Sequence, residues 1–168
     1  EIVSAVRTLP DGSAVIVGST DSEDIATSAQ SILLVKIGED GSTQWWRTYG
    51  EYAFWTYTGT DVEVLPGGGV VISGTGEDDS SSEEKMVFLT TDSNGQQLQW
   101  QTKSLYVEDV LHGSEPDYGR SSANNVTVLA NGDFVFTGIT YPQSYSWPTG
   151  AYFTAVRMTS SLTPVWEL

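Results

Sequence analysis

Leu9-Pro10-Asp11-Gly12 followed by Ala14-Val15-Ile16-Val17-Gly18-Ser19-Thr20 decides the fold, because the same stretch returns twice. It comes back as Leu65-Pro66-Gly67-Gly68 with Val70-Val71-Ile72-Ser73-Gly74-Thr75, and again as Leu129-Ala130-Asn131-Gly132 with Phe134-Val135-Phe136-Thr137-Gly138-Ile139-Thr140. The Leu series 9, 65, 129 and the Gly series 18, 74, 138 both advance by 56 and then by 64, so two markers keep one register. A fixed period of this length marks a repeat architecture. A second signature closes each repeat: Asp40-Gly41 leads to Trp46, Asn94-Gly95 to Trp100 and Ser160-Ser161 to Trp166, five residues from the second turn residue to the Trp in every case. The third copy lacks the turn Gly, which weakens its turn signal.

Each repeat reads as four short strands joined by tight turns. The expected strands are 2–9, 14–20, 32–37 and 42–49, then 60–65, 69–75, 86–91 and 96–103, then 125–129, 133–140, 152–158 and 164–168. No segment carries a helical period. The three units therefore occupy 1–50, 51–104 and 120–168, with a long connection over 104–120. Four-stranded antiparallel units of this length suit the blades of a β-propeller better than solenoid coils, so the expected fold is all-β, a propeller segment of three blades. In that fold Gly18, Gly74 and Gly138 would stand where inner strands converge on an axis, and Trp46, Trp100 and Trp166 would pack against neighbouring blades. A sandwich or irregular barrel built from the same twelve strands is the alternative closure.

The segment Leu33-Leu34-Val35-Lys36-Ile37-Gly38-Glu39-Asp40-Gly41-Ser42-Thr43-Gln44-Trp45-Trp46-Arg47-Thr48-Tyr49-Gly50 resembles the repeats of extracellular bacterial and archaeal β-propeller proteins, in which a strand, a D-G turn, a Trp and T-Y-G recur. It is more distantly similar to the tryptophan-docking repeat of quinoprotein-like propellers. That pattern's Ala and Thr-Gly positions are missing here, so no quinone cofactor is carried over. The resemblance implies a propeller and an extracellular or cell-surface setting, and no particular activity.

Charge narrows the partners. The chain has 168 residues, 22 acidic against 7 basic, and a net charge of −15, which repels phosphate backbones and anionic lipid headgroups. Nucleic acid and membrane insertion are excluded as expectations, the latter also because no apolar run reaches the roughly 18 residues of a span. With zero Cys, thiols say nothing about compartment. The chain opens Glu-Ile-Val without Met or a signal-peptide pattern, which reads as a mature protein or an excerpt. Propellers close with four to eight blades, so three need completion, either by self-association, two copies making six, or by further blades of a longer chain. An incomplete ring would expose apolar blade faces.

Two loop clusters could carry a ligand. Tyr52, Phe54, Trp55 and Tyr57 at the first junction, and Tyr145 and Trp147 in the third unit's middle loop, are flat amphipathic rings of the kind that stack on sugars. The same rings also seal contacts between blades or subunits. Asp21, Glu23 and Asp24 in the first unit, and Glu77, Asp78 and Asp79 in the second, occupy one loop position and offer oxygen ligands suited to Ca²⁺, although not in EF-hand order. The one His, His112, lies in the 104–120 connection among Glu108, Asp109, Glu115 and Asp117. No G-x-S-x-G stretch or Cys supplies a nucleophile, and no catalytic residue is assigned. Asn125-Val126-Thr127 is a glycosylation sequon on an expected inner strand, where no glycan is expected. The functional expectation is a non-enzymatic structural or adhesive scaffold. A carbohydrate-binding propeller is second, and a fragment of a propeller hydrolase third.

Overall fold

The structure is a computed structural model, and it describes residues 1–22, 28–78, 83–107, 117–141 and 150–168. Within these the chain is all-β, without a helix. The strands β1 (Ile2–Thr8), β2 (Ala14–Thr20), β3 (Ser31–Ile37) and β4 (Thr43–Tyr49) form a first antiparallel sheet in chain order. A second sheet has β5 (Trp55–Val64), β6 (Val70–Asp78), β7 (Glu83–Thr91) and β8 (Gln97–Lys103). The third has β11 (Arg120–Val128), β12 (Phe134–Tyr141), β13 (Tyr152–Met158) and β14 (Pro164–Glu167). Between the last two, β9 (Tyr106–Val107) and β10 (Asp117–Tyr118) pair as a small ribbon inside the expected connection. Strands β5 and β11 each begin five residues earlier than expected, at Trp55 and Arg120.

The repeated turn residues act locally. In the first β1–β2 turn the Leu9 amide donates to the Ser13 carbonyl at 2.7 Å and the Gly12 amide to the Leu9 carbonyl at 3.1 Å. The same pair of bonds recurs at Leu65 and Leu129. Asp11 Oδ1 accepts from the Ser13 amide at 3.0 Å, an Asx turn that Asn131 repeats with the Asp133 amide at 3.2 Å.

Each innermost strand carries a β-bulge at one place, between Val3 and Ala5, Gly59 and Asp61, and Ala123 and Asn125. This explains the invariant Gly of the following strand. A Cβ at Gly18 would lie 1.8 Å from the Ile2 carbonyl oxygen, at Gly138 1.9 Å from that of Ser122, and at Gly74 2.6 Å from that of Thr58. The space is taken by the bulged neighbour in the same sheet, which corrects the expectation that crowding at a central axis demands Gly.

The second sheet is the middle layer and is buried on both faces. Its Val70, Ile72, Val87 and Leu89 pack with Val15, Val17, Ile32 and Leu34 of the first sheet. On its other face Val71, Met86 and Phe88 pack with Ala123, Val126, Phe134, Phe136, Val156 and Met158 of the third. Alternation along the strands then leaves two faces uncovered. On the first sheet a cross-strand row Val6–Ile16–Val35–Trp46 looks outward, flanked by Val3 and Leu33. On the third, Val135, Ile139, Phe153 and Trp166 do.

The Trp spacing needs correction. The outer turns are closed alike by Gly38 to Ser42, Asp92 to Gln96 and Thr159 to Thr163, and their left-handed residues are Gly41 (φ 80), Gly95 (φ 72) and Leu162 (φ 54). Leu162 therefore matches Gly41, and Trp166 follows it by four residues where Trp46 follows Gly41 by five. One residue flips the side chain to the other face. Trp46 stands opposite Val35 and Trp100 opposite Leu89, while Trp166 stands opposite Arg157, the place Trp45 takes opposite Lys36. Of the three, Trp100 alone packs into the contact between two sheets, whereas Trp46 and Trp166 are 46% and 42% exposed.

Candidate functional site

Within each sheet the tight turns lie at one end of the strands, and the connections β2–β3, β4–β5 and β6–β7 leave from the other. At that second end a ladder of rings runs from the rim into the core. Tyr52 lies 5.6 Å from Trp55, Trp55 stacks 6.0 Å from Tyr57, and Tyr57 meets Trp100 edge-on at 5.3 Å. Lys85 Nζ sits 5.1 Å from the Trp55 ring centroid, in cation–π range.

Burial divides the expected aromatic site. Phe54 is 81% exposed and Tyr52 56%, Trp55 is half-buried, and Tyr57 is fully buried. Tyr57 is therefore a core ring of strand β5 rather than a loop residue open to ligand, which corrects its placement. Its position puts the ring between the first two sheets, where the Tyr57 amide also donates to the Gln30 carbonyl at 2.8 Å. Burial pushes its phenol up to about 12. Tyr52 and Trp55 remain in contact at the rim, with Phe54 exposed between them in the chain. Tyr145 and Trp147 lie outside the described residues.

The acidic cluster separates too. Glu77 Oε1 accepts from Arg120 at 2.9 Å, and the Arg120 Nε lies 3.3 Å from Glu84 Oε2, with Glu77 and Glu84 directly opposite on β6 and β7. Burial raises the Glu84 carboxyl and the Arg120 guanidinium works against that rise. Glu77 thus ties the second sheet to the third through Arg120. Asp78 ends β6 opposite Glu83, and Asp21 is exposed just past β2. Glu23, Asp24, Asp79 and His112 lie outside the described residues. Among the described residues no three acidic or His side chains gather as a metal would need.

Sequence reasoning missed the polar seam along the innermost strands. Asp61 is only 4% exposed, yet it touches both neighbouring sheets. Its Oδ1 accepts from Arg7 of β1 at 2.9 Å, and its Oδ2 accepts from the Val126 amide of β11 at 3.1 Å. Arg7 Nε reaches Glu63 at 3.2 Å as well. Beside it the bulge residue Thr60 donates its hydroxyl to the Ala123 carbonyl at 2.7 Å. The available signal was a charged residue within the strand segment that becomes β5 (Trp55–Val64), where an unpaired carboxylate would be costly.

A groove of about 440 Å³ opens at the tight-turn end between the second and third sheets, lined by Leu65, Pro66, Leu98, Val128 and Phe134. No protein-family model and no curated protein matches this chain.

Proposed function

We propose that the chain is a three-blade segment of a β-propeller acting as a non-enzymatic scaffold, structural or adhesive, in an extracellular or cell-surface setting. One observation carries the reading: the uncovered face of the first sheet uses the strand positions that are buried in the other two. Counted from the shared Gly and across the strand pairs, Ile16 corresponds to Ile72 and Phe136, Val35 to Leu89 and Val156, and Val6 to Val62 and Val126. The six counterparts are all buried between sheets. An apolar face of this kind is built to be covered by another blade. The resemblance of the 33–50 segment to extracellular propeller repeats and the net charge of −15 support the setting.

Covering that face calls for contact with the chain itself or with further blades. Placing a charge at its centre, Val35→Glu, should leave the near-UV spectrum of the folded chain intact while lowering its average particle mass at equal concentration. If the mass of the wild type is unchanged by this substitution, the face is not an assembly surface.

A second reading, recognition of carbohydrate, is favoured by the exposure of Tyr52 and Phe54 beside the half-buried Trp55. Glycan binding that disappears in a Tyr52→Ala, Phe54→Ala chain would establish it, and a glycan screen without signal would remove it.

A further inference from the structure

Building on the propeller reading, we infer that the partner of the uncovered faces is a second copy of this chain, docked head to tail, with Asn124 and Asn125 of one copy latching onto the inner strand of the next copy's first sheet. The seam between the second and third sheets supplies the pattern. There the bulge residue Thr60 donates to the Ala123 carbonyl, and the next residue, Asp61, accepts from the Val126 amide. The bulges are in register across the repeats, so Thr60 corresponds to Asn124, Asp61 to Asn125, Ala123 to Val3 and Val126 to Val6. An Asn side chain has both a donor and an acceptor. Asn124 can donate through its amide nitrogen to the Val3 carbonyl as Thr60 does to Ala123, and Asn125 can accept from the Val6 amide as Asp61 does from Val126.

The two asparagines are exposed on the third sheet, where the corresponding Thr60 and Asp61 are at least half-buried. Val3 and Val6, the residues they would meet, are 72% and 54% exposed. The larger surfaces agree with this placement and continue the two interfaces already formed inside the chain. The third sheet offers Val135, Ile139, Phe153 and Trp166, the face by which the second sheet holds the third. The first offers Ile16, Leu33, Val35 and Trp46, the face by which the second is held by the first.

Charge agrees as well. In a chain of net −15, no Asp, Glu, Lys or Arg stands among the described outward positions of β1 to β4 on this face. On the facing surface Arg157 is neutralised by Asp133 at 2.7 Å. Two strongly acidic molecules can approach through these faces and no like charges meet. Two copies joined this way contribute six sheets, within the range in which propellers close.

The chain has no Cys, so disulfide trapping is clean. The double variant Val3→Cys, Asn124→Cys should form, under mild oxidation, a covalent pair or longer covalent series of chains that mass spectrometry assigns to bonds between copies. The internal equivalent, Thr60→Cys, Ala123→Cys, should close within one chain and serves as the control. As a non-covalent readout, Asn124→Ala, Asn125→Ala should weaken self-association about tenfold, in keeping with the loss of two hydrogen bonds. If the internal pair closes while Val3→Cys, Asn124→Cys stays monomeric and the wild type remains a single chain at every concentration, the second copy is overturned and the blade stacking stands. If the internal pair does not close, the stacking itself is wrong and the latch falls with it.

Discussion

Leu162 does what Gly41 and Gly95 do in the other two sheets, at φ 54 and with a side chain 2% exposed in the second core. Its burial outweighs its backbone strain. Losing a buried leucine costs roughly 2–5 kcal/mol, whereas leaving the left-handed region regains roughly 1–2 kcal/mol. Leu162→Gly should therefore destabilise the chain by about 2 kcal/mol in denaturant unfolding, although it restores the repeat's consensus turn. The side chain of Asp61 reaches both neighbouring sheets. Asp61→Ala strands the Val126 amide and frees one end of Arg7, for a loss of about 3 kcal/mol. Asp61→Asn keeps an acceptor for Val126 and should lose about half as much. Tyr57 gives a pH dependence with a definite sign. Its phenol titrates at about 12 in the folded chain against 10.0 as the ordinary value, so the folded state holds its proton longer. That contribution is complete below pH 10.0 and is lost as pH rises toward about 12. Stability measured from pH 9 upward should fall less steeply in Tyr57→Phe than in the wild type (on the order of one proton's worth of slope).

At the scale of elements, the repeated pairing of a bulge with a Gly holds β1 to β2, β5 to β6 and β11 to β12. Gly18→Ala and Gly138→Ala would drive a methyl into backbone and should each cost about 3 kcal/mol or more, visible as lost amide protection in that strand pair. Gly41→Ala meets nothing within 4 Å and carries only the strain of φ 80, about 1 kcal/mol. The period of the Leu and Gly markers was enough to pair these strands about their turns, because tight turns are short-range events written in neighbouring residues, whereas the early starts of β5 and β11 and the bulges were not legible in it. The face of Trp166 was not readable in the same way. Leu162 is not a turn-forming residue type, so a spacing counted from Ser161 as the second turn residue places Trp166 one residue out of register. Tyr57 failed for a related reason: strand β5 begins earlier than its alternation suggests, and a ring expected in a loop belongs to the core.

The whole molecule is a stack of three sheets with an acidic exterior and two apolar end faces, the first without charged residues among its described outward positions and the second with its Arg157 paired to Asp133. Local patterning could foresee that such faces would exist, but not the seam that organises them. Arg7, Asp61 and Val126 are separated by 54 and 65 residues, and no period in the chain announces their contact. The aromatic rim was half legible: Tyr52 does meet Trp55, and the Glu77 carboxylate, a calcium candidate by its loop, accepts from Arg120. The measurement that bears most directly on the account is sedimentation equilibrium of the 168-residue chain across a wide concentration range, run beside Val35→Glu. The account predicts a wild-type mass that rises from 18.2 kDa toward twice that value, and a variant that stays at 18.2 kDa. A wild type that remains at 18.2 kDa throughout would contradict it.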